Sequence, residues 1–119
     1  MTSVRLLAIV LFLMLASGAF AAELPDGWTT DWDAATKRAA QEDKPLFVAF
    51  SASWCAPCQA MVKDIYPQPK VQDAMKTWVT VYVDIEKRED VADSFKVRSL
   101  PTMVYLNPDL SEILSLIHI

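Results

Sequence analysis

The sequence predicts a single α/β domain. Apolar, strand-like runs at 46–50, 79–85 and 103–106 alternate with segments of helical character, and the links between them are short. The chain has 119 residues, with no repeats, low-complexity tracts or internal linker. Such a length is within the usual range for one hydrophobic core.

The first helix and the first strand are marked by clear boundary signals. Thr30 and Asp31 can cap a helix that runs to about Glu42 and is ended by Lys44-Pro45. Its expected inward face is Trp32, Ala35 and Ala39. The run Leu46-Phe47-Val48-Ala49-Phe50 that follows is continuously apolar, which is typical of a strand buried on both faces.

The second half of the chain alternates in the same way. A helix is expected from Cys55 to about Tyr66, where prolines interrupt the pattern, and a short helical piece is expected at 71–78. A β-branched strand at 79–85 leads to a charged stretch at 86–90 and a helix to about Phe95. The third strand covers 103–106, and Asn107-Pro108-Asp109 is a turn signal.

The most informative stretch is Trp54-Cys55-Ala56-Pro57-Cys58, which places two thiols three residues apart between a strand and a helix. A thiolate attacks disulfides and a thiol does not, and a free cysteine with a pKa near ~8.5 is only slightly ionised at neutral pH. At a helix start, unpaired backbone N–H groups and the helix dipole stabilise a negative charge on Cys55. The position therefore favours a redox centre.

The spacing also assigns different tasks to the two thiols. Cys58 lies one turn after Cys55 on the same helical face, so we expect Cys55 to be the exposed nucleophile and Cys58 the sheltered resolving thiol. Pro57 suits this turn because its φ is fixed and its missing N–H is no loss there. Both cysteines of the chain are in this motif, which leaves no structural disulfide.

Three alternatives to redox chemistry are half of a zinc site, an inert pair of buried thiols and a soft-metal clip. Zinc needs two more Cys or His ligands, and His118, the one histidine, lies at a terminus where we do not count it as a ligand or base. Inert burial fits poorly with the flanking Trp54 and Pro57. A Cu(I) clip stays open because soft thiolates select that ion, although we expect no resident metal.

A Cys-x-x-Cys after a strand, followed later by Leu100-Pro101-Thr102 before another strand, resembles the pattern of the thioredoxin superfamily. The resemblance runs from about Trp28 to about Glu112. In detail the chain is similar to secreted thioredoxin-like proteins related to the C-terminal domain of the bacterial thiol:disulfide interchange protein, which share a Trp-containing helix before Lys44-Pro45 and the segment 66–71. The resemblance implies a thioredoxin-like fold with a central mixed sheet flanked by helices, here with the last helix missing.

Pro101 is the second site residue that the resemblance implies. In this superfamily the matching proline has a cis peptide bond and lies against the Cys-x-x-Cys, so that the backbone of Leu100 pairs with an extended substrate segment. The alternative is an ordinary strand-entry proline, since proline cannot donate to a central ladder and cis is a minority state of X–Pro bonds. The resemblance favours cis. The expected substrate-binding and support residues are Trp54, Pro57, Leu100, Pro101 and Thr102.

The chain departs from the superfamily pattern at two positions. Ala49 stands six residues before Cys55, where thioredoxins usually have a buried Asp that moves protons to and from the second cysteine. Thr80 stands four residues before Asp84, where a partner Lys is common. We therefore expect the usual proton relay to be missing or replaced.

Residues 1–21 have the composition of an export signal. Arg5 precedes an apolar run at 6–16, and Ala19-Phe20-Ala21 has the small-x-small form of a signal-peptidase site. The apolar run is well short of the ~20 residues that span a bilayer. We therefore expect a cleavable bacterial signal peptide over 1–21, and a mature protein that is periplasmic or secreted.

The C-terminal residues do not complete the fold that the resemblance implies. A thioredoxin domain would continue after Asp109 with an antiparallel edge strand and a long amphipathic helix, yet only ten residues follow. Residues 114–119 are similar to the in-frame translation of a sequencing adapter. We expect the domain to occupy 22–113 and residues 114–119 to be an artefact; a natural edge strand is the alternative.

The charge balance restricts the partners. The net charge of −4 becomes −5 when the segment carrying Arg5 is removed, because that arginine is its one charged residue. Nucleic-acid binding calls for clustered Lys and Arg, so we expect no nucleic-acid partner.

Together these observations predict an exported oxidoreductase that reduces protein disulfides at Cys55 and Cys58, with no cofactor beyond its own redox-active disulfide. The Ala56-Pro57 dipeptide is close to the Gly-Pro of reducing thioredoxins. Because an exported dithiol becomes oxidised unless electrons are supplied, we expect a membrane thiol donor, disulfide-containing client proteins and a monomer. The alternative is a periplasmic module that binds Cu(I) or a client protein through the same dithiol, without turnover.

Overall fold

A five-stranded mixed sheet forms the centre of the molecule in the computed structural model, which describes residues 23–117. The strand order is β1-β3-β2-β4-β5. Strands β1, β3 and β2 are parallel, whereas β4 is antiparallel to β2 and β5 is antiparallel to β4. The strands are β1 (Trp28–Thr29), β2 (Leu46–Ser51), β3 (Val79–Asp84), β4 (Thr102–Leu106) and β5 (Glu112–Ile117). This architecture confirms the predicted α/β class with a mixed sheet.

Four α-helices lie among these strands: α1 (Trp32–Glu42), α2 (Ala56–Ala60), α3 (Pro69–Met75) and α4 (Glu89–Ser94). Helix α2 continues into a π-helical turn, Met61–Ile65. In this turn the backbone N–H of Tyr66 donates to the carbonyl oxygen of Met61, five residues earlier, at 2.9 Å. Helix α3 begins at Pro69 rather than at the expected Val71, because proline is well tolerated in a first helical turn. It ends at Met75, earlier than expected.

Helix α1 has the predicted bounds because both of its ends are satisfied locally. The Asp31 carboxylate accepts a hydrogen bond from the backbone N–H of Ala34 at 3.0 Å, which fills one of the orphan donors of the first turn. At the other end Asp43 adopts the left-handed conformation with φ 52°. The backbone N–H of Lys44 then donates to the carbonyl oxygen of Ala39 at 3.0 Å.

Strand β2 is buried along its whole length, as predicted. Alternate side chains point to opposite faces of a strand, and the core accordingly divides into two clusters. Leu46, Val48 and Phe50 belong to the cluster that includes Ala35 and Ala39 of α1. Phe47 and Ala49 belong to the cluster that includes Val62 and Tyr66, which follow the dithiol. The strand therefore anchors both layers and fixes the loop that leaves its C-terminal end.

The C-terminal strand β5 pairs with β4 in an antiparallel register that places Leu114 opposite Tyr105 and Ile117 opposite Thr102. Strand β5 ends at Ile117, the last of the described residues 23–117. In that same range no helix combines the length and the apolarity that crossing a membrane would require. The expected artefact at 114–119 stays a prediction, while the expected signal peptide at 1–21 and His118 lie outside the described residues.

Candidate active site

The dithiol lies in the loop where β2 ends and α2 begins. Cys55 is the N-cap of α2 and is disulfide-bonded to Cys58, with a Cα–Cα distance of 5.3 Å. The backbone N–H of Cys58 donates to Cys55 Sγ at 3.3 Å. Pro57 occupies the first turn of the helix, as predicted. In the reduced protein, the same N–H group and the helix start favour a negative charge on Cys55.

Both cysteines are buried, which corrects the expectation that Cys55 is exposed. Cys55 is 4% exposed and Cys58 is 2% exposed. They form a cluster with Ala52, and the side chains of Ile85 and Leu100 pack against it. Burial follows from this topology, because the end of β3 and the loop before β4 meet the helix start from two sides. The two thiols therefore differ in position along the helix more than in exposure.

The loop before β4 brings the second predicted group of residues to the dithiol. The Leu100–Pro101 peptide bond is cis, and Leu100 packs against the cysteine cluster. Pro101 is buried. Thr102 is also buried, and its hydroxyl donates to the carbonyl oxygen of Ser99 at 2.6 Å. Leu100 therefore links this loop to the cysteine cluster.

Trp54, which precedes the first cysteine, and Pro57, which lies between the two cysteines, are open to solvent. The Trp54 side chain is 66% exposed, and Pro57 is exposed as well. A large apolar side chain with this exposure beside a disulfide is available for contact with another molecule.

The positions that depart from the superfamily pattern are buried and uncharged. Ala49 is 2% exposed and lies between Tyr82 of β3 and Met103 of β4 in the strand register. Thr80 is 4% exposed, and its hydroxyl donates to the carbonyl oxygen of Gly27 at 3.3 Å. Neither position supplies a titratable group beneath the dithiol.

A cavity next to the site, into which a few polar groups open, was not expected from the sequence. The hydroxyl groups of Ser51 and Tyr82 are hydrogen-bonded at 2.5 Å. They border a cavity of about 180 Å³ that is lined by Ser51, Ala52, Ser53, Gln59, Tyr82 and Asp84. Strand alternation is the signal that could have indicated it, because Ser51, Tyr82 and Asp84 share one face at the C-terminal ends of two adjacent parallel strands.

The dithiol is also the group of the site that could bind a soft metal, since two thiolates are ligands that Cu(I) prefers. Within residues 23–117 no group of three or more His, Cys, Asp or Glu side chains is arranged to hold a metal ion.

The chain belongs to the thioredoxin-like family. The model of a family described as thioredoxin-like matches residues 27–108, which include β1 to β4, the dithiol and Pro101.

Known relatives and solved structures agree with this assignment. The chain is 33% identical to Thioredoxin-1 of Drosophila melanogaster over 67 residues, which cover 56% of this chain and 61% of that protein. It thus spans less than two thirds of that relative. An oxidoreductase described as DsbH superposes with a TM-score of 0.68 at 20% identity, covering 87% of this chain and 85% of that one. A disulphide isomerase from Xylella fastidiosa Temecula1 superposes with a TM-score of 0.64 at 22% identity, covering 80% of each chain. These two structural likenesses concern the fold.

Proposed function

We propose that this protein is a thiol:disulfide oxidoreductase that reduces protein disulfides by dithiol–disulfide exchange. The observation that carries the proposal is the Cys55–Cys58 disulfide at the start of α2, within a thioredoxin-like domain. A disulfide between residues three apart closes only a short loop, which constrains the unfolded chain little. Such a bond is better suited to redox exchange than to stabilising the fold.

The proposed reaction begins with the reduced dithiol. The Cys55 thiolate attacks one sulfur of a client disulfide, a bond forms between them, and the other client sulfur leaves as a thiolate. The Cys58 thiolate then attacks Cys55 Sγ. The Cys55–Cys58 bond forms, the bond between Cys55 and the client breaks, and the second client thiolate leaves. Two electrons pass from the dithiol to the client, and a donor must then reduce Cys55–Cys58 again.

The surrounding residues would position the client. The exposed Trp54 offers an apolar surface beside the disulfide. The Leu100 side chain packs on the cysteines, and the Leu100 backbone would pair with an extended client segment. Pro101 and Thr102 would support the loop before β4, and Pro57 would support the loop that carries the dithiol.

The proposal places the reaction outside the cytoplasm. The charge pattern and apolar run of residues 1–21 support export of the protein to the periplasm or the medium. An exported reductase needs a source of electrons. We therefore infer a membrane thiol donor, disulfide-containing client proteins and a monomeric enzyme.

The burial of both cysteines supports a second candidate function. Cys55 is 4% exposed and Cys58 is 2% exposed, so both sulfur atoms are shielded from solvent, as suits a site that retains a bound ion or client. Reduced, it could hold Cu(I) between two thiolates or carry a client without turnover.

Reduction of insulin by dithiothreitol separates the two functions. The wild-type protein is expected to accelerate insulin precipitation, because its dithiol is regenerated in each cycle, and Cys55→Ser is expected to be inactive. Lys63→Ala, a change in an exposed side chain of the π-helical turn that follows α2, is the control and should retain activity. A wild-type rate equal to that of dithiothreitol alone, together with stoichiometric binding of Cu(I), would favour the second function.

A further inference from the structure

The resolving thiol, Cys58, must lose its proton while it is buried in the protein. Cys58 is 2% exposed, and burial disfavours the charged form of a thiol. The resolution step of the proposed function, on which this inference rests, nevertheless requires the thiolate. A proton acceptor within reach of Cys58 would therefore accelerate the step. Ala49 supplies none beneath the dithiol.

The cavity lined by Ser51, Gln59, Tyr82 and Asp84 is large enough to hold the water molecules that proton transfer requires. Its volume is about 180 Å³, and a water molecule takes about 30 Å³ in the liquid. Several water molecules can therefore occupy it, with hydroxyl, amide and carboxylate groups as partners. The cavity is partly open to solvent and its exposed lining is mainly apolar, so water enters it from outside and meets a few polar groups there, those of Ser51, Tyr82 and Asp84 among them.

Two residues connect this cavity to the dithiol. Ala52 lines the cavity and belongs to the same buried cluster as Cys55 and Cys58. Gln59 directly follows Cys58, and its side-chain amide donates to the carbonyl oxygen of Ala52 at 3.3 Å. The same oxygen accepts the backbone N–H of Cys55 at 3.1 Å. The cavity and the thiols thus share one wall.

The acceptor in this cavity is the carboxylate of Asp84. It lies opposite Ser51 in the strand register, next to the hydroxyl pair of Ser51 and Tyr82. Asp84 Oδ1 accepts the backbone N–H of Glu86 at 2.9 Å. Within residues 23–117 no cation forms an ion pair with Asp84. Among the described residues, therefore, no cation competes with the cavity for this carboxylate.

The other titratable and charged groups around Asp84 are few. Tyr82 is the second titratable residue that lines the cavity, and Cys58 lies beyond the shared wall. The loop after β3 adds Glu86, Lys87 and Arg88. The backbone N–H groups of Lys87 and Arg88 donate to the main-chain carbonyl of Asp84 at 3.1 and 3.0 Å, and the Arg88 guanidinium is paired with two other carboxylates.

We propose that Asp84 is the proton acceptor of the resolving thiol, and that the cavity carries the proton between them. The Cys58 S–H bond breaks, and its proton passes through water and the Ser51–Tyr82 hydroxyl pair to the Asp84 carboxylate. The thiolate attacks Cys55 Sγ, the Cys55–Cys58 bond forms, and the client sulfur leaves with the electron pair of the broken bond. The proton on Asp84 then passes to solvent or to the departing thiolate.

The test follows thionitrobenzoate release after the reduced protein is mixed with an excess of Ellman's reagent in a stopped-flow instrument. The first release reports attack by Cys55, and the second reports resolution by Cys58. For Asp84→Asn we expect the second release to slow by at least about tenfold at neutral pH, as for loss of a general base. The deficit should vanish at high pH, where hydroxide removes the proton. Glu86→Gln removes the same charge two residues away and should leave both phases unchanged.

The opposite result is equally well defined. If Asp84 acted only through its charge, Asp84→Asn would favour the Cys58 thiolate and accelerate the second release. An accelerated or unchanged second phase overturns the proposal.

Should Asp84→Asn fail to fold, as judged by circular dichroism, Ser51→Ala and Tyr82→Phe provide the same test. Each must slow the second phase, and an unchanged rate in either variant overturns the proposal. Because the reagent is a small disulfide with a good leaving group, the assay also gives an answer if the protein reduces no insulin. Failure of this proposal is thus distinguishable from failure of the proposed function.

Discussion

Tyr66 combines a titratable side chain with almost complete burial. It follows the π-helical turn, is 3% exposed, and its ring lies 4.5 Å from that of Trp28 and 6.2 Å from that of Phe47, between centroids. Burial raises the pKa of its phenol, and the nearby Tyr82 and Tyr105 add to the effect. Ionisation of Tyr66 is therefore incompatible with the packing of this face of the sheet.

This raised pKa predicts a loss of stability in alkali that Tyr66→Phe makes smaller. The raised pKa of Tyr105 leaves part of the loss in both proteins. Below about pH 10, Tyr66 is protonated in both the folded and the unfolded state. Above that pH only the unfolded state releases the proton, so the free energy of unfolding falls by up to about 1.4 kcal/mol per pH unit. Denaturant titrations from neutral pH to about pH 12 should show wild type falling relative to Tyr66→Phe. Parallel curves for the two proteins would contradict the assignment.

Among single residues, the sequence predicted those with distinctive chemistry and missed those whose role depends on a contact between two strands. Cys55 and Cys58 were predicted because two thiols at that spacing have few other uses. Ser51 and Tyr82 resemble ordinary strand residues, and their hydrogen bond arises only when β2 and β3 adopt their register. The burial of Cys55 was missed for a related reason, since Ile85 and Leu100 reach it from distant parts of the chain.

Helix α1 depends on the capping contacts at its ends as well as on its inward face, where Trp32 also packs against the core. The Asp31 carboxylate accepts the N–H of Ala34, while the two fully buried residues of the helix, Ala35 and Ala39, bury little apolar surface each. The hydrogen bond from a backbone N–H group of the first turn to the Asp31 carboxylate is therefore a substantial part of what holds this helix in place.

Removal of this cap is expected to destabilise the protein measurably. Asp31→Ala should lower the free energy of unfolding by about 1 kcal/mol, because an N–H of the first turn loses its partner. Asp31→Asn retains an acceptor and should change stability much less. Chemical denaturation of the two variants tests this directly, and equal losses in both would show that the charge matters rather than the hydrogen bond.

Element boundaries were predictable where capping or a proline sets them, as at Asp31 and Pro45. They were less so elsewhere. The two residues of β1 are too few to show a period, and the π-helical turn after α2 has no compositional signature because it differs from an α-helix only in its hydrogen-bond register. Helix α3 begins two residues before its predicted start because Pro69, which interrupts the sequence pattern, is its first residue.

At the scale of the whole molecule, the topology explains why the site residues meet. Strands β2 and β3 are parallel, so their C-terminal ends, which lead to Cys55 and contain Asp84, lie at one edge of the sheet. Strand β4 is antiparallel to β2, which brings its N-terminal end and Pro101 to the same edge. The sequence indicated the class of fold from its alternating elements, but this convergence depends on the strand order, which the alternation of elements does not specify.

The central claim is that Cys55 forms the bond to the client and Cys58 breaks it. The measurement that tests it most directly is capture of a mixed disulfide with insulin by Cys58→Ser, followed by mass spectrometry without reductant. We expect a one-to-one adduct through Cys55 that dithiothreitol releases, and no adduct with Cys55→Ser. Equal capture by both variants, or no adduct with Cys58→Ser while the wild type reduces insulin, would contradict the account.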